Sequence, residues 1–419
     1  MLLNRSVAVQ SVGNAAPSET RNAHMTWVLI AAALVMSAGL GARATFGLFL
    51  IPITATHVVT FSMLAFALAL QNIAWGLAQP LAGHLADRKG PVAVVAAGAF
   101  IYALGLALVA LHPDVVTIIA GLGLLAGLGQ SGMTFAVIIS AVSRASTPAF
   151  RATAVALAAA GGSLGQVALI PIAQSVIGSA GFRSALIVLA GFILCSAPFG
   201  IALRGRVPVS APEDAPTAAT LGGTWPAIRS ALKDGNYLFL TAGFFACGFQ
   251  LAFISNHLPA YLVLCHGAAG SGAASLATIG FFNIIGSYGF GRLMDRFSPQ
   301  YLLAALYTLR ATATVAFVLV PLSPVSTLAF AAIMGLTWLG TVPLTSGIVG
   351  RLFGLQHLGT LFGVCFFSHQ VGAFLGAFLG GAVVQSTGSY ALMWTTTIIV
   401  GYGAALLNLP IRLRSVAPA

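Results

Sequence analysis

Residues 352–411 contain no Asp, Glu, Lys or Arg. A stretch of that length with no charge cannot cover a surface facing water. A bilayer-spanning helix needs about 20 mostly apolar residues. The stretch therefore holds two crossings, and Ser386-Thr387-Gly388-Ser389 supplies the turn between them. Similar runs recur along the chain. Only 6% of the 419 residues are charged and 58% are hydrophobic, against about 25% charged in soluble domains. The solvent for this chain is lipid.

Read at that length, the apolar runs give twelve spans, near 26–50, 60–82, 91–111, 115–142, 153–177, 184–203, 236–263, 270–291, 301–321, 325–349, 359–383 and 390–411. Pro321 and Pro324 separate the ninth from the tenth. With the N-terminus inside, fifteen of the eighteen Lys and Arg fall in cytoplasmic segments, one (Arg183) falls outside, and Arg43 and Arg310 lie within spans. Translocating basic residues is unfavourable, so this bias supports both the count and the orientation. The organisation expected is a flexible cytoplasmic tail (1–24), a six-helix bundle (25–203), a cytoplasmic loop (204–235), a second six-helix bundle (236–411) and a short cytoplasmic tail (412–419). Within the loop, TWPAIRSALKD is an amphipathic piece suited to the membrane surface.

Several function classes drop out. The net charge of +11 is scattered between apolar runs rather than gathered on one face with aromatic neighbours, which argues against nucleic-acid binding. Cys195, Cys247, Cys265 and Cys365 show no metal or disulfide spacing and read as small hydrophobes. Residues 1–24 lack the sustained apolar core of a signal peptide. No Gly-Lys dipeptide occurs, so no nucleotide-binding loop of that type exists. GGSLG (161–165) matches G-x-S-x-G, but Ser163 lies in an apolar helix without a His and acid partner. No enzyme, cofactor or metal site is expected.

The halves repeat. GHLADR (83–88) recurs as GRLMDR (291–296) at an offset of 208, each at the cytoplasmic end of the second span of its half. GGSLGQ (161–166) echoes SHQVGA (368–373), with Gly165 matching Gly372. Parallel repeats of this kind are left by transporters built from two similar halves.

The doubled G-x-L-x-D-R in a six-plus-six chain resembles the major facilitator superfamily over residues 26–411. The resemblance implies an all-α fold of two six-helix bundles. It also implies a gate in which Gly83, Asp87 and Arg88, with their repeats Gly291, Asp295 and Arg296, latch the inner face against Arg144 or Arg151 and Arg351. A finer resemblance is to the bacterial branch of the monocarboxylate and oxalate/formate transporters. It rests on Phe150-Arg151 followed by ATAVALAAAGGSLGQVALI and Pro171, on RATFGLFL (43–50) and on LQNIAWGLAQP (70–80). The chain departs from vertebrate monocarboxylate carriers in the eighth span, where they carry an Asp–Arg pair and this chain has Asn283 and no charge.

Arg43 is the most informative residue. A charge deep in a span costs at least about 2.5–3.5 kcal/mol on insertion scales, and no membrane carboxylate outside the two G-x-L-x-D-R motifs is there to neutralise it. A guanidinium in a low-dielectric cavity suits a carboxylate, which it meets with two hydrogen bonds. Further lining candidates lie at helical spacing: Gln71 and Trp75, Gln130 and Thr134, Gln250 and His257, Asn283, Trp338 and Thr341, and His369. With no buried acid, His257 and His369 are the candidate proton carriers, and Arg310 is a candidate for coupling helices.

The reading is a secondary transporter of a small organic anion, foremost a monocarboxylate, by proton symport or anion exchange. It acts as a monomer in a bacterial inner membrane with both termini inside, and protons are the candidate co-substrate. Two alternatives stay open. One is a carrier of an amphipathic drug or aromatic heterocycle, with Trp75, Trp338 and Phe282 foremost. The other is a non-transporting receptor or scaffold.

Overall fold

The computed structural model describes residues 18–147, 150–204, 224–265, 267–268, 270–294, 296–353 and 358–413. Among the described residues eleven helical stretches are long and apolar enough to cross a bilayer. These are His24–Thr54, Phe61–Ala86, Pro91–Leu111, Val115–Ala145, Thr153–Leu203, Gly235–Leu264, Ser271–Leu293, Pro299–Leu319, Pro324–Phe353, Thr360–Thr387 and Ala391–Asn408. The fifth stretch is two spans. Its 51 residues would reach roughly 75 Å as one helix, against a hydrocarbon core of about 30 Å. At Gly181 the backbone swings to φ 80°, ψ 170°, a conformation that needs glycine, and the chain turns back. Twelve crossings result, and the reversal falls between the fifth and sixth spans read from the sequence.

The spans pack as two six-helix bundles with matching internal pairs. The first span lies on the fifth and the seventh on the eleventh; the third lies against the sixth and the ninth against the twelfth; the second lies against the fourth and the eighth against the tenth. The bundles meet chiefly along two seams, second span on eleventh and fifth on eighth. The Gly165–Gly372 echo has a packing cause. A Cβ on Gly165 would overlap the Ser37 backbone of the first span, and one on Gly372 would overlap the Phe245 backbone of the seventh. Both are contact points of the equivalent helix pairs, where only a residue without a side chain lets the backbones meet.

Carboxylates sit at helix ends. Asp114 accepts from Thr117 N at 2.9 Å in a capping box, and Asp234 accepts from Asn236 N at 2.8 Å. The amphipathic piece forms the helix Thr224–Ala231, with Trp225 exposed. Cys247 and Cys365 are buried, whereas Cys195 and Cys265 are exposed, so the small-hydrophobe expectation describes only the first two as core residues.

Two spans read as continuous are not. The fourth runs as a π-helix at Ile119–Leu125, an α-helix at Ala126–Met133, an extended Thr134 (φ −126°, ψ −158°) and a new helix Phe135–Ala145. Its repeat, the tenth, ends one helix at Leu336 and begins another at Thr341, which runs to Phe353. Each second piece carries a basic residue in its last turn, Arg144 and Arg351.

Call the end of the molecule that bears Arg88, Lys89, Arg144, Arg292 and Arg351 the arginine-rich face. Contacts between bundles gather on the opposite half. There Ser62 N donates to Gln385 Oε1 at 2.8 Å, Phe66 meets Phe374 and Phe378 edge-on, and Gly47 abuts the Ser255 and Asn256 carbonyls. Midway, Gln370 Nε2 donates to the Asn72 carbonyl at 3.1 Å, and Asn283 Nδ2 to Ser163 Oγ at 2.9 Å. Nearer the arginine-rich face, Gly289 and Gly291 have no neighbour within 4 Å of a Cβ position.

Candidate functional site

Arg43 ends the regular part of the first span, just before a 3₁₀ turn at Phe46–Phe49. Its side chain turns inward rather than to headgroups. Nη2 donates to Asn72 Oδ1 of the second span at 2.6 Å, and the guanidinium lies 5.5 Å from the Trp75 ring centroid, a cation–π distance. Asn72 is held for this task, because its Nδ2 donates to the Leu68 carbonyl at 3.0 Å and leaves Oδ1 facing the guanidinium. No carboxylate bridges Arg43 among the described residues, and Arg43 Nε is buried without a partner.

Around it lies a polar patch joining the second and fourth spans. Gln71 Nε2 donates to Gln130 Oε1 at 3.1 Å, and Trp75 Nε1 donates to Thr134 Oγ1 at 3.0 Å. The Thr134 hydroxyl donates to the Gln130 carbonyl at 2.8 Å, with Gln79 Oε1 at 3.4 Å. Gln79 Nε2 and Gln130 Nε2 have no partner. With Arg43 Nε, three unpaired groups of this patch are N–H donors, against one unpaired hydroxyl, Tyr102 Oη. Buried polar groups are almost always paired, so the patch is short of acceptor oxygen, which a carboxylate supplies.

The second bundle's candidates come together around Arg310 instead. Arg310 is fully buried at 0% exposure. Its Nη1 donates to Gln250 Oε1 at 3.3 Å and faces Cys247 Sγ at 3.5 Å. Its Nη2 donates to the Thr337 carbonyl and, at 3.3 Å, to that of Trp338. Thr341 Oγ1 lies 3.3 Å from Cys247 Sγ, and Gln250 Nε2 donates to the Thr397 carbonyl at 3.0 Å. Asn283 ties the fifth-on-eighth seam to the broken tenth span, because its Oδ1 accepts from Leu339 N at 3.1 Å. Gln250, Asn283, Thr341 and the backbone carbonyl of Trp338 thus take part in a polar network that joins the seventh, eighth, ninth and tenth spans.

The two histidines differ. His257 is fully buried, with Nδ1 3.1 Å from Tyr390 Oη and Nε2 2.7 Å from the Ala377 carbonyl. Nε2 therefore carries the proton, Nδ1 accepts from tyrosine, and both nitrogens are occupied. His369 is part-buried, donates from Nδ1 to Gln370 Oε1 at 3.0 Å and lies parallel to Phe366 with ring centroids 5.8 Å apart. Phe366 meets Trp75 edge-on at 5.6 Å, so an aromatic strip runs from Trp75 across the seam to His369.

Of the gate residues, Gly83 lies in a helix that continues to Lys89, where a Cβ would stand 3.2 Å from Ala136 Cβ of the same bundle. Arg88, Arg296 and Arg351 are exposed and Arg144 donates to Ser140. The side chains of Asp87 and Arg151, and residue Asp295, lie outside the described residues. Asn72 and Cys247 take their places from the arginines they face, Arg43 and Arg310, and an isolated Asn or Cys in a span carries no such signal.

The family model described as the Major Facilitator Superfamily matches residues 28–377. The chain belongs to the major facilitator superfamily. It is therefore an integral membrane transporter of a small molecule, not an enzyme. Its relatives include an uncharacterized transporter of this superfamily, YcxA of Bacillus subtilis (strain 168), 26% identical over 92% of this chain and 95% of that protein. Monocarboxylate transporter 13 of Rattus norvegicus is 25% identical over 92% and 89% of the two chains. Monocarboxylate transporter 11 of Homo sapiens is 28% identical over 84% and 75%. Among solved structures, a bacterial homolog of the human lysosomal transporter Spinster, inward-facing and occupied, superposes with a TM-score of 0.71 at 14% identity over 91% of this chain and 96% of that one.

Proposed function

We propose that this major facilitator protein is a secondary transporter of a small organic anion, foremost a monocarboxylate, moved by alternating access. The observation that carries the reading is Arg43. It is a membrane-embedded guanidinium without a carboxylate among the described residues, with Nε unpaired and neighbouring amide donors equally short of acceptors. The names of the monocarboxylate-transporter relatives point the same way. Taking the arginine-rich face as cytoplasmic, both termini lie inside the cell, in a bacterial inner membrane. The closed seam on the other half then makes this an inward-facing state. In the outward-facing state the Asp87 and Asp295 latches close the inner side against Arg144 or Arg151 and Arg351. His369, beside the Trp75–Phe366 strip, is the better placed of the two proton-carrier candidates, because His257 has both nitrogens occupied. The carrier works as a monomer.

The test is counterflow in proteoliposomes with labelled monocarboxylates. Arg43→Gln is expected to lower the uptake efficiency roughly a hundredfold, the loss of one desolvated charge-assisted contact. Unchanged uptake removes Arg43 from the cargo site. The aromatic strip favours one second reading, an amphipathic aromatic cargo. A neutral cargo of that kind survives Arg43→Gln and is lost in Trp75→Ala.

A further inference from the structure

The fourth span restarts inside the membrane. A helix start leaves its first N–H groups without intrahelical acceptors and gathers about half a positive charge. A threonine at that position ordinarily turns its hydroxyl onto these groups. Thr134 does not. Its hydroxyl donates back to the Gln130 carbonyl and accepts from Trp75, and it makes no side-chain cap to the helix Phe135–Ala145. Ile138 N bonds the Thr134 carbonyl, so the N–H groups of residues 135–137 precede the first turn's closure.

A second observation points to a ligand at this place. Gln79 is 8% exposed and Gln130 0% exposed, and the Nε2 of each lacks a partner. Gln79 Oε1 lies 3.4 Å from the Thr134 hydroxyl, which brings the side chain to the residue that precedes the helix start. Gln130 stands one turn earlier, with its carbonyl oxygen occupied by Gln71. At the equivalent break in the tenth span Val342 N bonds the Leu339 carbonyl and Pro343 has no N–H, while Asn283 Oδ1 accepts from Leu339 N and Arg310 donates to the Thr337 and Trp338 carbonyls in the gap itself. In the fourth span the acceptor is missing.

We infer that the start of Phe135–Ala145, together with Gln79 and Gln130, is a second anion subsite that takes a carboxylate or a similarly small oxyanion. It rests on the anion reading of Arg43 and adds a station to the same path. Along the second span Asn72 and Arg43 come first, Trp75 next, and Gln79 one turn nearer the arginine-rich face. An anion released by the full charge of Arg43 meets, past the indole, a site built from amide donors and a helix start, from which it leaves more readily.

The first measurement is thermal unfolding of the purified full-length protein at pH 8 without ligand. Gln79→Glu keeps the oxygen that faces Thr134 and puts a second oxygen where the NH2 group stood, so it supplies a tethered carboxylate. It is expected to melt above both the wild type and Gln79→Leu, which removes the unpaired amide without supplying an acceptor. Gln79→Glu melting at or below Gln79→Leu overturns the subsite. The second measurement titrates wild type and Arg43→Gln with sodium formate at ionic strength held by a bulky sulfonate, again reading Tm. Arg43→Gln is expected to keep a formate-dependent rise with Kd raised about tenfold, and Arg43→Gln/Gln79→Leu to lose it. No response in Arg43→Gln removes the subsite and leaves Arg43 as the cargo contact. A response in Arg43→Gln equal to the wild type removes Arg43 and keeps the subsite. A response that persists in the double variant places the second anion elsewhere and overturns the inference.

Discussion

The two bundles break their fourth helix at equivalent places, and they finish the break differently. In the second bundle Arg310, on the ninth span, hydrogen-bonds the loose carbonyls of Thr337 and Trp338, and Asn283, on the eighth, accepts from Leu339 N. Applying the repeat offset of 208 puts Tyr102 where Arg310 stands and Trp75 where Asn283 stands. Neither does the same work. Tyr102 Oη has no partner, and Trp75 is a donor, not an acceptor. The first bundle carries its arginine on the first span instead, against Asn72. Both arginines leave Nε unpaired, but both Nη groups of Arg310 are taken up by its own fold, whereas Arg43 is held through Nη2 to Asn72. A buried arginine alone does not mark a cargo site; what its neighbours offer decides.

The largest test of this contrast is Arg310→Ala. It strands the Thr337 and Trp338 carbonyls and Gln250 in a dry interior, and is expected to cost roughly 3 kcal/mol or more of stability. The readout is thermal unfolding in detergent, alongside anion affinity measured on the protein that remains folded. A variant that folds normally but loses anion affinity would reverse the roles given to the two arginines. Asn283→Ala should cost about 2 kcal/mol, because Leu339 N and Ser163 both lose a partner. Faster hydrogen exchange in residues 336–341 would localise the effect to the break. Asn72→Ala leaves Arg43 charged but untethered, and is expected to weaken anion binding about fivefold to tenfold while stability changes little. An unaltered Kd would show that Asn72 does not position the guanidinium. The smallest effect is Gln385→Ala, which removes the acceptor for Ser62 N at the closed end. It should shift the balance towards the outward-facing state by about 0.5–1 kcal/mol, seen as increased labelling of a Ser62→Cys reporter from outside.

The architecture was legible because its causes are local. Span length follows from bilayer thickness, and Arg43 stood out because a charge in lipid is rare. The repeat showed itself in G-x-L-x-D-R and in glycines that fix backbone approach. The broken spans were not legible. No proline marks Thr134, whose hydroxyl meets Trp75 and Gln79 of another helix. The hydrogen bonds that tie Gln250, Asn283 and Thr341 into the network around Arg310 were not legible either, because polarity at helical spacing does not say which neighbour a side chain will meet. Asn72 was passed over for the complementary reason, since a single amide in a span gains meaning only from the residue it faces.

The one-residue reversal at Gly181 has a mechanical consequence. With no slack between them, the fifth and sixth helices cannot slide past each other, and the sixth is packed on the third. Any rearrangement where the fifth helix meets the eighth is passed to half the molecule at once. The stiff fifth–sixth pair leaves bending to the interrupted fourth and tenth spans.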